Sequence, residues 1–378
     1  MTSTIHSLVI VKIGFKNRGL TYVYSNEDRT FSAVEFPIYR PFQEIRNKFL
    51  WGNHEEEVPR IQEVFGKCEI NFEVPSHVRL FFREILQPFF LFQILSVTIW
   101  CLTDYYIFAA FITVVSITTA IINLITVRKN FERIHELVHF GTEVDLYRRE
   151  KGKYMKSTGV KSRDIVPGDL LVIKDHFRMP CDCVLLNGQL LVDECALTGE
   201  SVPMSKYSIP DNSDKYMATL HKVYSLYEGT VVVQKLGNQN VETLALVIRT
   251  SFSTLRGQLV RGILYPKASN LKFERDSYYL ILLLLVVLLC GLSLGIPPQL
   301  GKVETYDIVL SVLGMVTNAI PASLPVALTV ATSFSLIRYR KNQINCISPK
   351  RIIAAGRVDC VCFDKTGIFY HIFFIVVD

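Results

Sequence analysis

The sequence predicts a multi-pass α-helical membrane protein that carries a mostly β cytosolic domain. Of the 378 residues, 49% are apolar and only 20% are charged, and the apolar residues are clustered. Four stretches contain no Asp, Glu, Lys, Arg or His, and each has the roughly 20 residues that cross the hydrocarbon core of a bilayer. Between the second and third stretches, short β-branched runs alternate with turn residues. The four stretches are Ile85–Thr103, Tyr105–Val127, Tyr278–Gly301 and Ile308–Ile337.

Basic residues set the predicted orientation of these stretches. On one side they are flanked by many basic residues, whereas the other side holds Lys302 alone. Since basic residues next to membrane spans stay in the cytosol, both termini and the long loop 128–277 are predicted to be cytosolic. The flanking residues are Arg79, Arg83, Arg128, Lys129, Arg133, Lys272, Arg275, Arg338, Arg340 and Lys341.

Charge and cysteine content exclude two other classes of protein. The net charge is +6 and no long basic tract occurs, so we expect no nucleic acid partner. Nine cysteines in a chain of this length do not form a disulfide scaffold. The pairs Cys181/Cys183 and Cys360/Cys362 could each chelate a metal from one face of a strand, but two thiolates leave zinc without two ligands. We therefore expect reduced cysteines that pack in the interior.

The long cytosolic loop has the pattern of a small β domain. Turn residues, Pro167-Gly168-Asp169 and Asn187-Gly188, punctuate its short apolar runs. Each run is rich in β-branched residues, which favour strands. The predicted strands are Leu170–Ile173, Val184–Leu186, Val231–Val233 and Leu244–Ile248.

The motif Asp364-Lys365-Thr366-Gly367 directly follows an apolar run, Val358–Phe363, that we expect to be a buried strand. Open α/β sheets place their ligand crevice at the carboxyl ends of strands. A carboxylate there can attack a phosphoryl group and form an aspartyl-phosphate. The adjacent Lys365 and a magnesium ion would reduce the repulsion between the two anionic partners.

A second motif, Thr198-Gly199-Glu200-Ser201, lies in the cytosolic loop. Gly199 allows the backbone to approach another surface closely. Glu200 has the chemistry to deprotonate a water that attacks a phosphorylated aspartate. A solvated surface loop is the alternative for this motif taken alone.

A third motif, Pro321-Ala322-Ser323-Leu324-Pro325, lies near the centre of the fourth apolar stretch. Each proline lacks an N–H, so the carbonyls of Thr317 and Pro321 lose their helical partners. Freed carbonyls at bilayer depth need another donor or a cation, and transporters place cation sites at such broken helices. A simple structural kink is the alternative.

With these motifs in one chain, the sequence resembles the P-type ATPases, and most closely their fifth class, the endomembrane cation and polyamine transporters. The resemblance extends from about Gly19 to Gly367. The matching segments are Leu86–Phe89, Leu197–Ser201, Leu264–Lys267, Cys346–Ile352 and Cys362–Gly367.

The resemblance implies a transport cycle driven by ATP. Asp364 would be phosphorylated by ATP, with Mg²⁺ held by the Asp364 carboxylate and the Thr366 carbonyl. Residues 128–277 would be the actuator domain, which brings Glu200, together with Thr198 and Gly199, onto the phosphoaspartate. The fourth helix would move a cation, an organic polycation being favoured because no acidic residue lies there; its transport residues would be Thr317, Pro321, Ala322, Ser323 and Pro325.

The resemblance also implies a location and a domain order. The protein is expected in an endomembrane, that of late endosomes and lysosomes or of the endoplasmic reticulum. The expected segments are a cytosolic N-terminal region (1–80), two membrane helices (81–127), the actuator domain (128–277), two further membrane helices (278–339), the start of an α/β phosphorylation domain with only its first strand (340–367) and a divergent tail (368–378).

The sequence also departs from the family pattern. The class usually has Pro-Pro-Ala-Leu-Pro in the fourth helix, where this chain has Ala322 and Ser323. After Gly367 an apolar tail replaces the family's Thr-Leu-Thr, and the nucleotide-binding domain and an early membrane segment are missing. We therefore expect a truncated chain that by itself neither hydrolyses ATP nor transports.

Two other functions remain open from the sequence. A truncated pump with intact membrane helices could bind a full-length P-type ATPase and regulate it without catalysis. Alternatively, His135-Glu136-Leu137-Val138-His139 has the zinc-protease pattern, in which both histidines share one helix face and the glutamate is the base. A catalytic zinc needs a third protein ligand, and Glu143, four residues after the motif, is not a persuasive one. A solvated helix that leads into the cytosolic domain explains the same pattern.

Overall fold

The computed structural model describes most of the chain. The described residues are 14–26, 29–50, 52–86, 88–138, 141–150, 153–199, 202–236, 241–265, 272–299, 304–319, 324–344, 346, 352–356 and 358–362. They separate into two compact units. The first gathers described residues within 1–72 and 138–267 together with Cys362, and the second gathers those within 73–137 and 268–361.

The described strands all belong to the first unit. They are β1 (Gly14–Asn17), β2 (Leu20–Ser25), β3 (Thr30–Ala33), β4 (Glu143–Glu150), β5 (Lys153–Lys161), β6 (Leu170–Ile173), β7 (Phe177–Arg178), β8 (Asp182–Leu185), β9 (Gln189–Asp193), β10 (Met204–Tyr207), β11 (Ser225–Leu226), β12 (Val231–Leu236) and β13 (Thr243–Arg249). The described helices are α1 (Phe42–Phe49), α2 (Val58–Phe65), α3 (His77–Ile85), α4 (Pro88–Leu102), α5 (Tyr106–Val138), α6 (Cys195–Thr198), α7 (Leu255–Leu264), α8 (Lys272–Gly295), α9 (Thr305–Ala319), α10 (Leu324–Lys341) and α11 (Ile352–Ala355).

The segment between the second and third apolar stretches is mostly β, as predicted. Its strands form two sheets with the orders β10-β9-β12-β7 and β11-β8-β13-β6-β4-β5, and the neighbouring strands are antiparallel. Each of the four strands predicted in this segment overlaps an observed one, β6, β8, β12 and β13. The central strands of the larger sheet are buried on both faces, which explains why they are continuous apolar runs rather than alternating ones.

Two layers of apolar side chains cover the larger sheet. One face, with Leu171, Cys183 and Val247, packs toward Leu190, Val192 and Val232 of the smaller sheet. The other face, with Leu170, Val184 and Leu246, packs against Phe42, Ile45 and Phe49 of α1. Residues near the N-terminus therefore complete the core of the β domain, and the separate β1-β2-β3 sheet lies in the same unit.

A buried ion pair supports the predicted turn at Pro167-Gly168-Asp169. Arg148 Nη2 lies 2.6 Å from Asp169 Oδ2, and the two side chains are 8% and 0% exposed. Asn53 donates to Asp169 Oδ1 at 3.0 Å, and the Val166 N–H donates to Oδ2 at 3.0 Å. The Asp169 carboxylate thus has charged and neutral donors around it, which is the condition for a charge to remain buried.

Two buried carboxylates hold the N-terminus of α7. Asp182 accepts from the backbone N–H of Glu228 and of Leu255, both at 2.9 Å. Glu228 in turn accepts from the hydroxyl of Thr254, the residue that caps α7 through the Gly257 N–H. Arg256 lies 3.8 Å from Glu228, too far to neutralise it fully. Burial therefore raises the pKa of Asp182 to about 6 and that of Glu228 to about 7.

We expect the Glu228 carboxyl to make the β domain less stable as pH rises from about 5 through 7. The folded protein keeps this proton up to pH about 7, whereas the unfolded chain releases it near its ordinary pKa of 4.5. One pKa unit corresponds to about 1.4 kcal/mol. This carboxyl therefore lowers the free energy of unfolding by about 2–3 kcal/mol between pH 5 and pH 7. Glu228→Gln should remove most of this loss in urea titrations at pH 5 and pH 8. The exposed control Glu63→Gln should keep it, and an unchanged pH dependence in Glu228→Gln would refute the assignment.

The helices of the second unit expose many apolar side chains. Ile107 is 90% exposed, Val114 64% and Leu294 78%. Within the described residues, one helix segment has the length and composition to cross a membrane, Tyr106–Glu136. Three further apolar helices are shorter, Phe90–Leu102, Leu282–Gly295 and Thr305–Thr317. Phe90–Leu102, Tyr106–Glu136 and Leu282–Gly295 overlap the first three stretches selected from the sequence. Thr305–Thr317 overlaps the beginning of the fourth stretch, which also contains most of α10.

The predicted strand at Val358–Phe363 is wrong for the residues that the structure describes. Val358–Cys362 have no strand structure, and Val358 and Val361 are 53% and 61% exposed. Phe363 lies outside the described residues. An apolar run becomes a buried strand only when neighbouring strands accept its backbone hydrogen bonds, and no described strand pairs with this segment. Cys360 and Cys362 are accordingly exposed rather than packed in an interior.

Candidate functional site

The hairpin of β9 and β10 carries the loop in which Thr198 and Gly199 lie. The single-turn helix α6 begins directly after β9, and its first turn is held by the Glu194 carbonyl, which accepts from the N–H of Leu197 and Thr198. The Thr198 hydroxyl donates to the same carbonyl at 3.1 Å. The Thr198 hydroxyl therefore stabilises the helical turn that precedes the motif's glycine.

Gly199 ends α6 in the left-handed conformation, with φ +75° and ψ −3°, and its N–H donates to the Cys195 carbonyl at 2.9 Å. A side chain at this position would be strained, so the turn requires glycine. The sequence predicted that Gly199 lets the backbone approach another surface closely. In the structure, Gly199 ends the helical turn in the left-handed conformation. Glu200, the proposed base, follows directly and lies outside the described residues, as does Ser201.

The base of this loop contains an ion pair that the sequence analysis missed. Lys206, in β10, lies with its ammonium 2.7 Å from Glu194 Oε1, and the side chains are 3% and 6% exposed. The contact is close but is not a well-directed hydrogen bond. The sequence around Lys206 gives no signal for this pair, because Lys206 lies between Ser205 and Tyr207 in an edge strand, where lysine usually faces water.

The remaining predicted site residues are only partly within the described part of the chain. Asp364, Lys365 and Thr366 lie outside it. Thr317 is 1% exposed, and its hydroxyl donates to the Gly314 carbonyl at 2.9 Å.

The proline motif lies between α9 and α10. The description of α9 extends to Ala319 and that of α10 begins at Leu324, with Pro325 as its second residue. Pro321, Ala322 and Ser323 lie outside the described residues, so the break in the helix expected from the two prolines stays a prediction.

The zinc-protease pattern gains no support from the described residues. Helix α5 ends at Val138, Glu143 begins β4, and His139 lies outside the description. Neighbouring residues on a helix, such as His135 and Glu136, point in different directions. Among the residues described, no group of three or more His, Cys, Asp or Glu side chains is placed to hold a metal ion.

The cysteines Cys181 and Cys183 are buried free thiols, as predicted. Their sulfurs are 3.6 Å apart, and Cys68 lies with them in the same apolar core. A hydrogen bond to Cys181 and burial raise the pKa of Cys68, and burial raises the pKa of Cys181 and Cys183. Because the thiolate is the metal-binding and reactive form, these thiols are packing residues.

Comparisons with known proteins agree with the motifs. The family model of the P-type ATPase actuator domain matches residues 142–263. The chain is 38% identical over 80% of its length to "Polyamine-transporting ATPase 13A3" from Mus musculus, 31% over 95% to "Vacuolar cation-transporting ATPase YPK9" from Saccharomyces cerevisiae, and 35% over 82% to "Probable cation-transporting ATPase catp-6" from Caenorhabditis elegans.

The chain spans about a quarter of the length of these relatives, 26%, 25% and 24% respectively. The matched segment 142–263 contains every strand from β4 to β13, together with the hairpin loop that carries Thr198 and Gly199. The β domain is therefore an actuator domain, and the chain belongs to the P-type ATPases.

Proposed function

We propose that this chain forms the actuator domain and the adjoining membrane helices of an ATP-driven pump. The pump moves a cation, for which a polyamine is the first candidate, through an aspartyl-phosphate intermediate. The observation that carries the proposal is the Thr198-Gly199 turn at the tip of a hairpin within the matched actuator domain. The Asp364-Lys365-Thr366-Gly367 motif in the same chain supplies the nucleophile. The relatives named as cation- and polyamine-transporting ATPases support the substrate class.

In the first half of the proposed cycle, an Asp364 oxygen attacks the γ-phosphorus of ATP. A bond to the Asp364 carboxylate forms as the bond to ADP breaks, so that the phosphoryl group is transferred and ADP leaves. Lys365 reduces the charge repulsion during the attack. The donor set fits Mg²⁺, because the Asp364 carboxylate and the Thr366 carbonyl are hard oxygen ligands, and the ion supplies charge neutralisation when bound.

In the second half, Glu200 removes a proton from the water that attacks the phosphorus. The phosphorus–oxygen bond to Asp364 breaks, inorganic phosphate leaves and the free carboxylate is regenerated. The left-handed turn at Gly199 immediately precedes Glu200, which supports presentation of this side chain at the surface of the loop. Thr198 contributes by stabilising the turn through its bond to the Glu194 carbonyl.

Transport is proposed to occur across an endomembrane through the helices of the second unit. Their exposed apolar side chains support contact with lipid, since a water-facing surface rarely has so many. The basic residues that close α10, Arg338, Arg340 and Lys341, support cytosolic termini. The two prolines of the motif in this apolar stretch support a cation pathway at Thr317, Pro321, Ala322, Ser323 and Pro325.

Loss of labelling in Asp364→Asn tests the proposal. The test uses a chimera that joins residues 1–367 to the C-terminal part of the mouse relative. We expect an acid-stable phosphoenzyme with [γ-³²P]ATP in the unmutated chimera and none in Asp364→Asn, because an amide cannot act as the nucleophile. Asp359→Asn, an exposed position in the same segment, is the matched control and should keep the label. Labelling of Asp364→Asn at the unmutated level would refute the proposal.

A further inference from the structure

The single buried side chain of β10 is a lysine. The strand Met204–Tyr207 lies at the edge of the smaller sheet, and three of its four side chains are exposed. Lys206 is 2% exposed. Edge strands usually place lysine toward water, so an inward lysine at this position requires a partner.

Lys206 is held by three parts of the domain. Its ammonium lies 2.7 Å from the Glu194 carboxylate and donates to the Lys222 carbonyl at 3.0 Å. It also lies over the ring of Tyr227, 5.4 Å from the centroid, a cation–π distance. The side chain therefore connects the exit of the hairpin loop to its entry and to the segment before β12.

The ion pair joins the two ends of the loop that carries the Thr198-Gly199-Glu200 motif. Glu194 is the residue directly before α6, and its carbonyl already holds the first turn of that helix. Lys206 lies on the returning strand, where it is opposite Leu190 of β9. The same residue, Glu194, thus fixes the loop through both its backbone and its side chain.

Stability alone does not explain this pair. Buried ion pairs often contribute no more to stability than apolar residues of similar size, because both charges lose their hydration. The best-attested use of such a pair is to set the register of the two segments that carry it. The buried pair Arg148–Asp169 serves the core of the larger sheet instead, and it offers an internal comparison.

We propose that Glu194 and Lys206 are positioning residues for the dephosphorylation step. They hold the two ends of loop 195–203 so that Glu200 meets the phosphorylated aspartate in one fixed orientation. This inference rests on the proposed function, since it assigns a role in that reaction. Displacement of a catalytic group by about 1 Å can cost about 100-fold in rate, so we expect a large kinetic effect from a loop that has lost its fixed ends.

The first test measures amide hydrogen exchange in the full chain. The double variant Glu194→Gln/Lys206→Met leaves no uncompensated charge in the interior, so the domain stays folded. We expect exchange in residues 195–203 to rise at least about 10-fold, with exchange in β6, β8 and β13 unchanged, because protection follows local opening. Unchanged exchange in the loop would overturn the inference, whatever the transport activity.

The second test follows the decay of the phosphoenzyme in the chimera. The double variant should form the phosphoenzyme at the normal rate but lose it about 10- to 100-fold more slowly. Lys206→Arg keeps the charge, so its phosphoenzyme should decay within about threefold of the unmutated rate. The double replacement Arg148→Met/Asp169→Leu, which removes both charges of the other buried pair, should leave decay unchanged. Normal decay in the double variant, while Glu200→Gln decays slowly, would overturn the positioning role but not the proposed function. Failure of the unmutated chimera to form any phosphoenzyme would instead overturn the proposed function.

Discussion

Glu200→Gln is expected to let the phosphoenzyme accumulate. An amide cannot accept the proton of the attacking water, so hydrolysis loses general base catalysis, an effect of about 10²- to 10⁴-fold. Formation uses Asp364 and should stay normal. The measurement labels the chimera with [γ-³²P]ATP, chases with unlabelled ATP and follows the acid-stable label over time.

Glu136→Gln is the matched control for this experiment. Glu136 is an exposed glutamate on α5, outside the hairpin loop, and its replacement should leave decay at the unmutated rate. The same variant distinguishes the pump hypothesis from the zinc-protease hypothesis. A zinc protease would lose its base at Glu136, whereas the pump should keep its rate of phosphoenzyme decay. Equal loss of phosphoenzyme formation in Asp364→Asn and Glu200→Gln would contradict the two distinct roles that we assign.

Arg148→Ala is expected to lower the free energy of unfolding of the actuator domain by about 3–5 kcal/mol, because it leaves a charged carboxylate buried without its cation. Asp169 is 0% exposed, and its remaining donors, Asn53 and the Val166 N–H, are neutral. The loss can be measured in urea by alkylation of Cys183, a buried thiol that becomes reactive only when the domain opens.

The exposed pair Arg163–Asp164 provides the control for this measurement. Its side chains are 51% and 44% exposed, so solvent screens their attraction and Arg163→Ala should cost less than about 1 kcal/mol. The double replacement Arg148→Met/Asp169→Leu should recover much of the stability, because it removes both buried charges. A loss below about 1 kcal/mol in Arg148→Ala would show that Asp169 finds another partner.

The sequence pattern is clearest for a strand in which burial on both faces selects apolar residues throughout. Leu170–Ile173 is such a run, and it is fully buried in the centre of its sheet. β4 and β5 were not predicted because they carry many charged residues, as in Glu143–Glu150. Their strand structure comes from hydrogen bonding to β6 and to each other, which no local pattern reveals.

Contacts between distant parts of the chain hold the core of the β domain on which the hairpin loop lies. Cys68 contacts Cys181, and Asn53 donates to Asp169, across more than 100 residues of sequence. The motif residues were identifiable because phosphoryl transfer needs a carboxylate, a base and a glycine turn in known combinations. The residues that hold the motif were not, because Glu194 and Lys206 become a pair only after the hairpin has formed.

Helix α5 is longer than a bilayer requires. It is one continuous helix of 33 residues, about 50 Å long, whereas the hydrocarbon core is about 30 Å thick. In the proposed pump, the charged part from Arg128 onward would therefore continue beyond the lipid as the same helix. We expect this segment to leave the bilayer as a helix rather than as an irregular linker.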